Sequence, residues 1–190
     1  MKIQPLGDFV YVELEREEEN KIKLGNGQEL WLDTSYERYH NARQYGIVKL
    51  SCINIKKRVD DGYTLKNGDK VYFHHFCIDE RMTDDFMGEN IYKVHYDQIY
   101  CIVRNGKIIM TQDYVFVEPV NTEDKIKGFY MQSKESTKEG IVANTNQFSK
   151  NDGFKIGDKI IFIKDANYDM VIEGKRLFRM KNSEILCKIK

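Results

Sequence analysis

The sequence predicts an all-β chain made of two tandem copies of one domain, and three observations carry that prediction. First, four blocks occur twice in the same order. Asp8-Phe9-Val10-Tyr11-Val12-Glu13 returns as Asp113-Tyr114-Val115-Phe116-Val117-Glu118, and Gly46-Ile47-Val48 returns as Gly140-Ile141-Val142. Gly68-Asp69-Lys70-Val71-Tyr72-Phe73 returns as Gly157-Asp158-Lys159-Ile160-Ile161-Phe162, and Ile99-Tyr100-Cys101 as Ile185-Leu186-Cys187. An internal repeat of this kind sets the architecture before any residue is read for chemistry. Second, helical periodicity is scarce, and short β-branched and aromatic runs take its place. Third, Arg104-Asn105-Gly106-Lys107 stands between the copies. Asn-Gly between two apolar runs is a strong hairpin signal, because both residues tolerate positive φ.

Taken in order, strands are expected over 8–14, 46–50, 69–76, 91–95 and 98–103, then over 108–118, 140–143, 158–163, 177–180 and 185–189. Each run is bounded by Gly, Asn, Asp or Lys clusters. Regular short strands separated by turn signals imply a sandwich or barrel. The repeat divides the 190 residues into copies at 1–105 and 106–190. The Asn105-Gly106 turn is expected to join the last strand of one copy to the first strand of the other, with no flexible linker; a simple surface turn without pairing between the copies is the plainer alternative. The spacing between equivalent blocks shrinks along the chain, so the blocks are framework and the stretches between them are loops of free length.

Two polar stretches, 16–45 and 121–139, fall at the same place in each copy, after the first strand and before Gly-Ile-Val. Connections this long are uncommon in compact domains and usually carry function. Each holds an apolar triplet, Leu30-Trp31-Leu32 and Phe129-Tyr130-Met131. Large apolar residues in a polar loop suit docking onto a partner; packing on the domain's own sheet is the plainer alternative.

Composition excludes several classes. Charged residues make up 32% of the chain, yet the net charge is zero. A dedicated nucleic-acid binder carries a basic surplus, so no nucleic-acid partner is expected. The first copy is slightly acidic and the second slightly basic. No apolar run reaches membrane-spanning length, and the N-terminus lacks the apolar core of a signal peptide. Cys52, Cys77, Cys101 and Cys187 are far apart without a CxxC pair, which suits reduced thiols in the cytoplasm. Cys101 and Cys187, at equivalent strand positions, are expected in the core.

The blocks in order resemble the GroES-type co-chaperonins. Met1-Lys2-Ile3-Gln4-Pro5-Leu6-Gly7-Asp8-Phe9-Val10-Tyr11-Val12 is similar to the family's opening, a Pro-Leu pair, then Asp, then alternating valines. A loop with an apolar triplet, a Gly-x-Val strand, a roof hairpin, a Gly-Asp-x-Val-x-Phe strand and a closing strand follow in the family. Here Gly46 to Val48, Gly68 to Phe73 and Asp97-Gln98-Ile99-Tyr100 match, as do Gly128 to Met131, Gly140 to Val142, Gly157 to Phe162 and Ser183-Glu184-Ile185-Leu186. Copy one has Gly27-Gln28-Glu29 before its triplet, and copy two lacks the Pro-Leu opening and most of the roof.

The resemblance implies two partly open β-barrels with mobile loops. It implies a homo-oligomeric ring that caps an ATP-driven chaperonin of the GroEL type and encloses an unfolded protein substrate. Leu30, Trp31, Leu32, Phe129, Tyr130 and Met131 are then the chaperonin-binding residues. In the family ring the first strand of one subunit pairs with the last strand of its neighbour, so one chain supplies two adjacent segments and a closed ring holds an even number of domains. No catalytic residue, cofactor or metal is expected, and the protein is not expected to be an enzyme. A structural or adaptor protein reusing the barrel, viral and in a host cytoplasm among the options, is the alternative.

The remaining clusters read as ordinary surface. His74-His75-x-Cys77 with Asp79 and Glu80 lacks a second Cys/His pair at zinc spacing, so a strand end with polar tips is expected. His40 and His95 are isolated. Lys56-Lys57-Arg58 and Asp60-Asp61-Gly62 suit a solvated hairpin tip, and Asp84-Asp85 and Glu17-Glu18-Glu19 suit solvated loops. The phosphate-binding and nucleophile-elbow patterns GxxxxGK[ST], GxGxxG and GxSxG are missing.

Overall fold

The computed structural model of the chain describes residues 7–14, 21–23, 25, 27–31, 44–51, 65–77, 91–122, 125–126, 129–130, 134–146 and 152–189. The chain divides into two compact units, 1–60 with 64–99 and 61–63 with 100–190. The described residues are all-β, with helix limited to single 3-10 turns at His75–Cys77, Tyr96–Gln98 and Asn182–Glu184.

In the first unit, β1 (Phe9–Glu13) runs antiparallel to β4 (Tyr45–Ser51) and to β6 (Ile91–His95). β4 in turn pairs with β5 (Lys70–Phe73), giving the order β6-β1-β4-β5. Alternation along β1 sends Val10 and Val12 inward, and both are fully buried with Val48, Val71, Phe73 and Val94. A separate ladder joins β2 (Lys21–Lys23) to β3 (Glu29–Trp31).

The second unit takes in β7 (Ile99–Arg104) from Tyr100 onward, and β7 turns directly into β8 (Lys107–Met110). The turn forms as Asn-Gly predicts, with Asn105 at φ 52° and Gly106 at φ 72°. Cys101 pairs with Met110, Ile102 with Ile109 and Val103 with Ile108. The run predicted as one strand over 108–118 is two. The Thr111 amide donates to Tyr100 O at 3.1 Å, and Gln112 takes φ 51°, which breaks the extended run before β9 (Tyr114–Thr122).

Six strands make the second unit's main sheet, in the order β14-β15-β9-β12-β13-β16. They are β12 (Lys134–Asn144), β13 (Lys159–Phe162), β14 (Tyr168–Ile172), β15 (Lys175–Lys181) and β16 (Ile185–Ile189) around β9. The sheet is open, with β14 and β16 at its ends. β10 (Lys125–Ile126) and β11 (Phe129–Tyr130) form a ladder of their own. The inner face buries Val115, Val117, Val142, Phe154, Ile160, Phe162, Phe178 and Met180. Beside it the Arg179 guanidinium carbon lies 4.9 Å from the Tyr100 ring centre, 4.8 Å from Tyr168 and 5.6 Å from Tyr114. Cation–π contact therefore ties β7 to β9, β14 and β15.

Sequence reading passes over β14, although its alternation is clear: Met170 and Ile172 are buried while Asp169 and Val171 are exposed. Cys187 corrects the prediction that it matches Cys101 in the core. Cys101 is buried between β7 and its partner β8, whereas Cys187 is exposed on the edge strand β16.

Candidate functional site

The repeated blocks make the same local bonds in both units. Gly68 and Gly157 each take φ 88°, a conformation open to glycine. Behind each glycine an aspartate carboxylate accepts from a backbone amide three residues back, Asp69 from Lys66 at 2.7 Å and Asp158 from Lys155 at 2.9 Å. The Gly68 amide donates to Val48 O at 2.8 Å and the Gly157 amide to Val142 O at 2.8 Å. The closing 3-10 turns dock alike, Tyr96 N onto Asp8 O and Asn182 N onto Asp113 O, each at 2.8 Å. Gly46 and Gly140 also match. A Cβ would stand 2.9 Å from Glu13 O at the first, and 2.9 Å from Glu118 O at the second.

On this frame, the first two residues of each predicted apolar triplet fall on the small ladders separate from the main sheets. Leu30 and Trp31 lie in β3, and Phe129 and Tyr130 in β11; Leu32 and Met131 lie outside the described residues. The register is the same in each. Ile22 stands opposite Leu30 and Lys21 opposite Trp31. Ile126 stands opposite Phe129 and Lys125 opposite Tyr130. Sequence reading treated these stretches as loops and missed the facing strands. The signal was present, because Lys-Ile-Lys occurs at both 21–23 and 125–127.

The base of the second loop is built in detail. Glu135 pairs with Asn121, but the next pair is Gly140 with Pro119, so residues 136–139 bulge opposite Val120. Buried Ser136 shapes the bulge by accepting from the Lys138 and Glu139 amides at 3.3 and 3.0 Å. Just before the bulge, Glu135 meets Arg176 of β15 at 2.6 Å, and Arg176 also grips Asp169 of β14. The two carboxylates hold the guanidinium pKa above its usual range.

The edge of the second unit differs from its sequence counterpart. β7 is buried over its first five residues, while in β16 Leu186 to Ile189 are exposed, Leu186 to 63%. Lys188 of that strand pairs with Asp158 at 2.7 Å and holds the Asp158 carboxyl below its ordinary value.

The His-Cys cluster forms a 3-10 turn after β5, where the strand was expected to run on to residue 76. His74 folds the chain back, its Nδ1 accepting from Phe76 N at 3.2 Å and its carbonyl from Cys77 N at 3.0 Å. Burial pushes the Cys77 thiol up to about 11. Among the described residues no three His, Cys, Asp or Glu side chains group to hold a metal ion. His95 accepts from the Asp97 amide at 3.2 Å and packs edge-on to Phe9. His40, Cys52, Lys56, Lys57, Arg58, Asp60, Asp61, Gly62, Asp84, Asp85, Glu17, Glu18 and Glu19 lie outside the described residues. No described helix is long and apolar enough to cross a membrane.

The fold defines an all-β protein with an open antiparallel main sheet and an accessory hairpin set after the first long strand. The pattern that describes the chaperonin 10 kDa subunit family (Cpn10) matches residues 107–189. The protein named co-chaperonin GroES in Jannaschia sp. (strain CCS1) is 32% identical over 85 residues, 40% of this chain and 90% of that relative. The one in Rickettsia canadensis (strain McKiel) is 27% identical over 84 residues, 39% of this chain and 88% of that relative. The chain belongs to the chaperonin 10 kDa subunit family.

Proposed function

We propose that the chain is a co-chaperonin built from two GroES-like copies, 1–105 and 106–190, that caps a GroEL-type chaperonin ring. The observation that carries this reading is the position of the two triplets. In a chain of this family, Leu30-Trp31 and Phe129-Tyr130 each lie on a separate two-stranded ladder between the first strand and the Gly-Ile-Val strand. The matching glycine, aspartate and closing-turn bonds support treating both halves as copies of one domain.

The work of such a protein is binding, and ATP hydrolysis belongs to its partner. Leu30, Trp31 and Leu32, with Phe129, Tyr130 and Met131, supply apolar anchors for a groove on the chaperonin. Each loop loses conformational freedom on docking, so each contact is weak. Several loops on one ring raise the effective concentration and restore affinity, while weak single contacts keep release possible. Capping encloses an unfolded polypeptide. The β7–β8 pair gives a pattern for assembly, in which β16 of one chain receives the opening segment of the next and the ring holds an even number of domains.

The test uses the chain's single tryptophan, Trp31. Its fluorescence should shift on adding a GroEL-type chaperonin with nucleotide. Replacing each triplet with serines should weaken capture, and replacing both should abolish it. Full capture by the double variant overturns the loop assignment. Absence of wild-type capture by bacterial chaperonins leaves the adaptor reading in its place.

A further inference from the structure

We propose that Arg176 is the positioning residue of the second loop, an ionic clamp that fixes the arm joining the Phe129-Tyr130 hairpin to the sheet. The proposal rests on the reading that this loop binds a chaperonin.

The geometry is a fork gripping two carboxylates. Arg176 Nε donates to Asp169 Oδ1 at 3.0 Å and Oδ2 at 2.8 Å, and one terminal nitrogen reaches Oδ2 at 2.5 Å. Toward the loop, the terminal nitrogens donate to Glu135 Oε2 at 2.6 Å and Oε1 at 3.2 Å. A planar guanidinium suits two-point contact with carboxylates, which lysine's single point of charge does not reproduce.

Glu135 needs such a hold. It lies on the loop side of the 136–139 bulge, where the ladder between β9 and β12 is down to Glu135 with Asn121 and Lys134 with Thr122. Pro119, beside the bulge, has no N–H to add to either neighbour, and the β9–β15 register ends at Val117. Among the described residues, Arg176 adds an ionic contact from β15 to an arm whose β9–β12 ladder is those two pairs.

Arg176 is itself fixed. It sits in register with Val171 beside a tight turn in which Glu173 and Gly174 take φ 48° and 77°. The adjacent Lys175 ion-pairs with Glu118 of β9, which ties the end of this hairpin to the sheet. Its own ring contact is Phe178, 5.8 Å from the guanidinium carbon.

At the matching positions of the first copy the sequence holds no such charges. Five residues before Gly46, where Glu135 precedes Gly140, stands Asn41; nine residues before Ile99, where Arg176 precedes Ile185, stands Asn90. Neither can form the ion pair.

Arg176, Asp169 and Glu135 side chains are 50%, 49% and 34% exposed, so salt should screen the clamp. The test is hydrogen exchange by mass spectrometry on the full chain at low salt, comparing wild type with Arg176→Gln. Exchange over 134–139 should quicken about fivefold, while 159–162 and 177–180 keep their rates. At about 1 M salt the two proteins should exchange alike. Glu135→Gln, which leaves Arg176 its Asp169 partner, should reproduce the local effect if Arg176→Gln lowers overall stability. Equal exchange at low salt in wild type and Glu135→Gln overturns the clamp.

The positioning role is read separately, by titrating a GroEL-type chaperonin in the presence of nucleotide. Arg176→Gln should bind about fivefold more weakly, and Arg176→Lys should recover only part. Unchanged affinity with loosened exchange overturns the positioning role. A wild-type chain that no chaperonin captures overturns the co-chaperonin reading, while the exchange result still decides the clamp.

Discussion

Gly140 and Val117 lie so close that a Cβ on the glycine would stand 2.2 Å from Val117 Cγ1. Valine's branched side chain has little rotamer freedom with which to move away. Gly140→Ala should therefore destabilise the second unit by about 3 kcal/mol, at the upper end for overpacking. At Gly46 the nearest side-chain atom is Leu14 Cδ2 at 2.9 Å, the far end of a flexible chain. Gly46→Ala should cost less, about 1–2 kcal/mol. Urea unfolding followed by exchange in each unit measures both, and a smaller loss for Gly140→Ala than for Gly46→Ala contradicts this packing argument.

Much of this framework was legible because glycine, aspartate and valine blocks encode backbone geometry directly. The Asn105-Gly106 turn, the buried Val10–Val12 and Val115–Val117 pairs, and the Gly-Asp turns follow from residue type and period. What stayed hidden depended on neighbours. Cys187 looks like Cys101 in sequence, but burial of the latter comes with β8, and β16 has no matching strand among the described residues. The accessory ladders were hidden because strands of two or three residues carry almost no periodicity. The break at Gln112 was hidden because its φ of 51° is unusual for a non-glycine residue. Glu135 lies 41 residues from Arg176, and nothing in the sequence singles out this pair until the sheet order brings it together.

Acid should act through Asp158. Its folded carboxyl pKa is lowered chiefly by the hydrogen bond from Lys188, with the Lys155 amide assisting. A lowered folded pKa means the ionised form stabilises the fold at pH values above the unfolded pKa, and that contribution is lost as pH falls through the folded pKa. Wild type should therefore lose stability relative to Asp158→Asn as pH drops below about 4. The two unfolding curves should converge at the acid end. An unchanged difference between pH 7 and the acid end rules out the linkage.

The cysteines should separate by environment. Cys187 is exposed, Cys101 is buried, and the Cys77 thiol is pushed up to about 11. Thiolate is the nucleophile, so at pH 8 only about one Cys77 in a thousand is reactive. Iodoacetamide followed by peptide mass mapping on dilute protein should label Cys187 well ahead of Cys77 and Cys101. Labelling of Cys77 first would contradict its burial.

The last prediction concerns the exposed edge. Leu186 and Ile189 of β16 correspond to Tyr100 and Val103 of β7, which are buried, while Leu186 is 63% and Ile189 37% exposed. β14 is the sheet's other edge and carries Val171, also 62% exposed. If chains assemble as β7 pairs with β8, contact uses β16 and not β14. A double variant, Leu186→Asp with Ile189→Asp, should shift the native mass from oligomer to single chain, because a charge buried without a partner opposes association. Val171→Asp should leave the assembly intact. Wild-type Cys187 should also lose reactivity as concentration rises, while in the double variant its labelling rate stays constant. Assembly that survives the β16 changes but dissolves with Val171→Asp would place the junction on the opposite edge and remove the β7–β8 pair as its pattern.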